Sequence, residues 1–205
     1  MKKLGLVVAM EVEAIILIEK LKLKEIDKSN KVYANNEKIG KYSSLTLIIS
    51  GIGMENSAIA TQLLILIHGV DNILNFGYVG SNTVDIGTIV SPNAVFNNDF
   101  DLTCMGYEKY KIPGVEDLIL SKVPTYPNYP CYSGNYFVTK SEQKYPVIYD
   151  MELHGIAMVC IKNTMDIYSI KIITDCLDHK TYSENETDKK FAEILTEAVI
   201  KYIEE

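Results

Sequence analysis

Residues 4–13 read LGLVVAMEVE, an apolar run cut off by Glu11 and Glu13. Two further stretches share its plan, YPVIYDME at 145–152 and DIYSIKIITD at 166–175. Each reads as a buried strand. Each closes on a carboxylate: Glu13, Glu152 or Asp175. In an open α/β sheet, ligands bind beyond the carboxyl ends of the strands. Three carboxylates gathered there suit acid/base work on a neutral substrate that becomes positively polarised. A sugar–base bond is such a target, because its cleavage builds positive charge on the sugar.

Working outward, residues 3–9 are expected as a strand and 12–23 as a helix. Strands follow near 30–38 and 44–50. A Gly turn (Ser50-Gly51-Ile52-Gly53) leads into an apolar helix ending at Leu66. The run DNILNFG reads as a short buried strand closing in a second Gly-rich turn, Gly77-Tyr78-Val79-Gly80-Ser81. Residues 86–96 read as a strand pair or one bent strand. The segment 97–136 is irregular and rich in Pro and Tyr, with one short helix expected at 115–121. Loops of that length in a compact domain are usually functional or interfacial. A strand at 146–151 feeds a helix at 152–162, a strand at 166–174 feeds the Asp175 loop, and a last helix starts near Asp188. Alternating strands and helices predict an α/β fold around a mixed sheet, in one domain spanning 1–205.

Composition narrows the function. The 205 residues carry a net charge of −7, and the 20 basic residues are all Lys. Nucleic-acid binding needs concentrated positive charge, so no nucleic-acid partner is expected. The apolar fraction of 47% and the mixed charges indicate a globular chain. No stretch approaches the roughly 20 apolar residues that span a bilayer. The N-terminal run is too short and too soon interrupted for a signal peptide. Cys104, Cys131, Cys160 and Cys176 show neither CxxC nor metal spacing. They read as small hydrophobes in a reducing compartment, so a cytoplasmic protein without metal or cofactor is expected. Gly51-Ile52-Gly53 lacks the third Gly and the downstream acid of a dinucleotide fingerprint.

By residue type alone, Glu13 and Glu152 are either site carboxylates or first-turn helix acids favoured by the helix dipole. Asp175 is either a proton carrier or a turn cap. Five stretches in order tip the reading: Ala9-Met10-Glu11-Val12-Glu13, Ser50-Gly51-Ile52-Gly53, Gly106-Tyr107-Glu108 with Ile112-Pro113-Gly114, Asp150-Met151-Glu152, and Thr174-Asp175. Together they resemble the 5′-methylthioadenosine/S-adenosylhomocysteine nucleosidases of the purine nucleoside phosphorylase-like superfamily. The resemblance runs from residue 1 to about 180 and implies a three-layer fold, a mixed sheet flanked by helices. It also implies a homodimer acting on a small purine nucleoside.

On that resemblance Glu13 would polarise the attacking water, and Asp175 would handle the proton at purine N7. Glu152 would accept from the ribose 2′- and 3′-hydroxyls, with Met151 packed nearby and Thr174 orienting Asp175. Phe137 would stack on the base, and the backbone of Val138 would meet its edge. Met10 and Ile52 would line the 5′ pocket. Tyr107 and Pro113 would close that pocket from a partner chain.

The 77–81 turn departs from the family's small residues. Tyr78 and Val79, beside Gly80, add bulk where the purine should lie. Leu153 and His154 intrude after Glu152, and His154 is either an interior histidine or an added proton carrier. The 114–136 connection is short. The aromatic cap expected after Asp175 has two candidates, Tyr182 and Phe191. Related phosphorylases hold phosphate with arginine forks. A chain with no Arg is therefore expected to use water. A phosphorylase and a nucleoside-binding member without turnover are the other readings.

Overall fold

The structure is a computed structural model and describes residues 2–205. Along the chain the elements are β1 (Lys3–Val8), α1 (Glu11–Lys20), β2 (Lys24–Asp27), β3 (Val32–Asn35), β4 (Ser44–Ile49), α2 (Met54–Leu66) and β5 (Asn72–Ser81). Next come β6 (Ile89–Val90), β7 (Ala94–Asn97), β8 (Leu118–Ile119), β9 (Pro130–Ser133), β10 (Ile148–Asp150) and α3 (Leu153–Lys162). The chain ends with β11 (Ile167–Asp175), α4 (His179–Asn185) and α5 (Lys189–Glu204).

All eleven strands join one mixed sheet between two helical layers. Strand alternation builds both cores. Leu4, Leu6 and Val8 pack with Ala14 and Leu17 of α1 and Leu195 and Val199 of α5. Val7, Ile73 and Val79 pack on the other side with Leu64 of α2 and Ile156 of α3. Helix α5 starts where expected, because the Asp188 side chain accepts from the Lys190 N–H as a cap.

Strand β5 is the hinge of the topology. Its first residues pair with β1 in parallel, Leu4 to Val7 against Asn72 to Asn75. Its last two pair with β10 antiparallel, Gly80 with Tyr149 and Ser81 with Ile148. Strand β11 runs along its other edge from Ile73 to Gly80. On the edge shared by β1 and β10, residues 76–79 face no strand among the described residues. The sheet therefore forks at the carboxyl ends of β1 and β11, the kind of switch point where ligands bind.

Several expectations are corrected. Gly77–Ser81 is not a turn but the second half of a ten-residue buried strand. The two glycines are there for close approach. A Cβ on Gly77 would lie 2.9 Å from Glu13 Oε1, and one on Gly80 would lie 2.5 Å from Asp175 Oδ1. The helix expected at 115–121 is absent; Leu118 and Ile119 form β8, an edge strand on β7. Helix α1 stops at Lys20, and the next residues turn into β2. Asp175 ends β11 rather than sitting in a loop. Strands β2 and β9 and helix α4 had no counterpart in the sequence reading.

Candidate active site

The fork in the sheet leaves the Tyr78 N–H without a strand partner on that edge, and a buried N–H must be satisfied. Glu13 meets that need. Its Oε1 accepts from Tyr78 N at 2.7 Å, while Oε2 accepts from Met10 N at 2.8 Å across the first turn of α1. Glu13 is therefore both a helix-capping acid and a group fixed at the fork. It is 2% exposed. Burial raises its pKa against the pull of those bonds and of Lys171.

Glu152 stands at the head of α3. Its Oε1 accepts from Gly53 N at 3.0 Å, where the chain enters α2. Ser57 Oγ bonds the Glu152 carbonyl at 3.0 Å, locking α2 onto α3. Burial, with the nearby Asp150 charge, lifts the Glu152 pKa to about 7. Asp175 is held by the Leu177 N–H at 2.9 Å on Oδ1, with a long 3.4 Å contact from Thr174 Oγ1 on Oδ2. Burial raises its pKa as well.

These three carboxylates line one cavity of about 280 Å³. Met10, Ile52, Tyr78, Val79 and Gly80 line it with them, as do Phe137, Met151 and Thr174. Val138 lies in an adjoining recess behind Phe137. Tyr107 and Pro113 are exposed and line neither space. Tyr78 does not wall the cavity shut. As a strand residue it belongs with Phe76 to the core under α1 and α5, and its buried hydroxyl finds no partner among the described residues.

Of the two candidate caps, Tyr182 on α4 lines the cavity and its hydroxyl reaches Met10 Sδ at 3.8 Å. Phe191 is buried in the core instead. Asn185 ties α4 to the Thr174 carbonyl at 2.7 Å, which seats the cap beside Asp175. Phe137 stacks on His179 at 4.4 Å between centroids and meets Tyr182 edge-on at 5.4 Å. His154 is an interior histidine. It lies in a wall near Phe96, Tyr110 and Leu118, and burial pushes its pKa down to about 4, so it stays neutral and outside the cavity.

One element escaped the sequence reading. Lys171, in the middle of DIYSIKIITD, is 1% exposed and pairs with Asp150 at 3.0 Å. Asp150 also accepts from Ser133 Oγ at 2.5 Å and from Leu153 N at 3.1 Å. Burial alone would raise Asp150, but Lys171 and those donors overcome it and hold the carboxyl below its usual range. Burial would lower Lys171, yet the Asp150 and Glu152 carboxylates hold it above the ordinary lysine value. A lone Lys inside a strand apolar on both sides was the available signal, since such a charge is almost never buried unpaired. Lys171 is spent on Asp150 and does not line the cavity; nor does any other Lys among the described residues. Among the described residues there is no cluster of His, Cys, Asp and Glu able to hold a metal.

Three buried carboxyls with raised pKa cost stability when ionised. Glu152→Gln is expected to stabilise the unliganded protein at pH 8, where wild-type Glu152 is ionised. A rise from 4.5 to about 7 corresponds to about 3 kcal/mol. The sign follows from linkage: a raised folded pKa favours folding at low pH and loses that contribution as pH rises through 7. The gain should therefore shrink below pH 7 in thermal melts. An equal gain at pH 5 and pH 8 would contradict a buried, ionising Glu152.

Residues 3–143 match the phosphorylase superfamily model. The 5′-methylthioadenosine/S-adenosylhomocysteine nucleosidase of Buchnera aphidicola subsp. Acyrthosiphon pisum (strain Tuc7) is 34% identical over 167 residues, covering 69% of this chain and 72% of that one. The nucleosidase of the same name from Neisseria meningitidis, solved in complex with methylthio-immucillin-A, superposes with a TM-score of 0.87 at 22% identity. The match covers 100% of this chain and 99% of that one. The S-adenosylhomocysteine nucleosidase of Streptococcus pyogenes, in complex with 5-methylthiotubericidin, gives 0.87 at 20% identity over 99% and 96%. At those identities the structures speak for the fold, and the sequence matches speak for descent. The three-layer mixed sheet, the in-order motifs and the 34% relative agree: this chain belongs to the 5′-methylthioadenosine/S-adenosylhomocysteine nucleosidase family of the phosphorylase superfamily.

Proposed function

We propose that the chain is an N-ribosyl hydrolase that releases the base from 5′-methylthioadenosine, S-adenosylhomocysteine or a related 5′-substituted purine nucleoside. The observation that carries the reading is the cavity at the sheet fork: Glu13, Glu152 and Asp175, with the Lys171-paired Asp150, line it together with the rings of Tyr78, Phe137, Tyr149 and Tyr182, and no cationic side chain is among its described lining residues.

In this reading Asp175 enters the reaction protonated, as its raised pKa favours, and gives its proton to purine N7 as the base leaves. The ribose gains positive character, and the surrounding carboxylates stabilise it. Glu13, fixed by two backbone donors, guides a water to the anomeric carbon and takes its proton. Glu152 accepts from two ribose hydroxyls, which requires its ionised form. Phe137 and Tyr182 enclose the base and sugar, Val138 lies behind the base, and Met10 and Ile52 flank the 5′ substituent. Those last two also border a larger open groove of about 580 Å³, which gives a longer 5′ chain room to leave the cavity. The chain works as one domain in the cytoplasm, as a homodimer whose partner presents Tyr107 and Pro113 to the 5′ side. The 48% exposure of Tyr107 supports that pairing, and sedimentation checks it, a monomer at working concentration counting against it.

Phosphorolysis would need a held phosphate, and Lys171 is committed to Asp150. Mixed with 5′-methylthioadenosine, the protein should release adenine at the same rate with and without phosphate and yield the free sugar. Strict phosphate dependence with a ribose 1-phosphate product would overturn the hydrolase reading. No adenine at all would favour the binding protein without turnover.

A further inference from the structure

A second cavity lies at the opposite end of the sheet, beside the amino ends of β1, β5 and β11. Its volume is about 390 Å³, within the range of small-molecule sites. Lys2, Lys41 and Lys122 surround it, against a single carboxylate on its lining, Glu205. That balance is unusual for a chain of net charge −7.

The polar floor is built in advance. Lys2 Nζ donates to Asn72 Oδ1 at 3.1 Å. Asn72 stands close enough to Tyr42 to pull its pKa down against the larger upward push of burial. The Tyr42 and Tyr202 hydroxyls meet at 3.0 Å. Asn72, Tyr42 and Tyr202 are buried. Lys41 is placed by Gly40, whose positive φ and close approach to the Ile203 carbonyl admit no Cβ.

The cations are under-used. Lys2 has Asp166 at 3.7 Å, both well exposed. Lys41 and Lys122 form no ion pair among the described residues. The Lys41 ammonium instead sits 4.1 Å from the centroid of the Tyr202 ring, and burial lowers its pKa. Glu205 is already engaged by Lys201 at 3.8 Å and by the Thr125 hydroxyl at 3.3 Å. Ammonium groups are compact donors well suited to phosphate oxygens. The space is larger than one phosphate needs, and Tyr168 and Pro124 provide an apolar side.

We propose that this cavity binds a small polyphosphate-bearing anion of the nucleoside-diphosphate kind, with its phosphates on Lys2, Lys41 and Lys122 and its remainder against Tyr168 and Pro124. The proposal is independent of the reaction at the sheet fork, because none of these residues touches that cavity.

The test is calorimetric titration and thermal melting of the full chain at fixed ionic strength, with ADP, pyrophosphate and inorganic phosphate as probes. ADP and pyrophosphate should bind and raise the melting temperature, with inorganic phosphate weaker than both. The double variant Lys41→Gln/Lys122→Gln should bind them at least about tenfold more weakly, each lost charge-assisted contact being worth a factor of this size. Lys41→Arg/Lys122→Arg should retain binding, and adenine release should be the same in all three proteins. Three results would overturn the proposal. The first is silence from ADP and pyrophosphate alike. The second is inorganic phosphate binding as tightly as pyrophosphate. The third is ADP binding that survives the Gln substitutions and is displaced by free adenine, which would put the ligand in the nucleoside cavity.

Discussion

Asp175→Asn should slow adenine release by roughly 10²–10⁴-fold, the usual contribution of a positioned general acid, while leaving substrate binding nearly intact. Adenine departs poorly as an anion, so its proton must arrive during bond cleavage. An ordinary Asp, with a pKa of about 3.9, carries almost no proton at neutral pH. Asp175 is different because it is buried, 3% exposed, and its pKa is raised. Its Oδ1 is taken by the Leu177 N–H at 2.9 Å. Its Oδ2 has only the long contact from Thr174 and is the oxygen left to hold a proton and release it. Asn keeps the size and can donate a hydrogen bond to N7, but it cannot give the proton up. The loss should therefore appear in kcat, with the calorimetric affinity for 5′-methylthioadenosine within a few-fold of wild type. A 4-nitrophenyl riboside, whose leaving group is a stable anion, should lose far less. A variant that keeps more than a tenth of its rate on the nucleoside would remove Asp175 from the chemistry.

What the sequence disclosed depended on how each physical signal is written in residues. Apolar runs ending in a carboxylate are conspicuous, so β1, β10 and β11 and the positions of Glu13, Glu152 and Asp175 were legible. The grouping of the three around one cavity followed from strand order, which no local pattern contains. Gly77 and Gly80 misled, because Gly is read as a turn signal. Here it removes a side chain so that Glu13 and Asp175 can approach a strand. That misreading also made Tyr78 look like an obstruction, when strand alternation sends it into the core. The short strands β8 and β9 have only two and four residues, and they exist because of distant partners, β7 for β8 and both β7 and β10 for β9. Helix α4 is equally illegible, being seven residues with none of them buried. Tyr182 could be told from Phe191 as the cap only by knowing which of them faced the fork.

The buried pair beneath the site gives the largest expected effect on stability. Lys171→Met should lower stability by about 3–5 kcal/mol, because Asp150 would be left buried and uncompensated. For a chain of this size that amounts to a fall of roughly 6–20 °C in melting temperature. In the wild type Asp150 has a depressed pKa, so its contribution is present at neutral pH and lost as pH falls through that value. Without Lys171 the sign reverses. The Asp150 pKa would rise above its unfolded value, and the deficit of the variant should shrink as the solution is acidified. Asp150→Asn, added to Lys171→Met, removes the orphaned charge, and its amide oxygen can accept from the Leu153 N–H while its amide nitrogen donates to Ser133 Oγ. The double variant should recover more than half of the lost stability. Lys171 also pulls down the pKa of Glu13 and Glu152, so losing it leaves both carboxyls protonated to higher pH. The acid limb of kcat/KM, expected near pH 7 from Glu152, should move upward in the single variant and fall back to or below its wild-type position in the double variant, because the Asp150 charge raises Glu152 more than Lys171 lowers it. A purely structural lysine would change the melting temperature and leave that limb in place. A Lys171→Met protein that melts within 2 °C of wild type with an unshifted limb would deny the pair both roles.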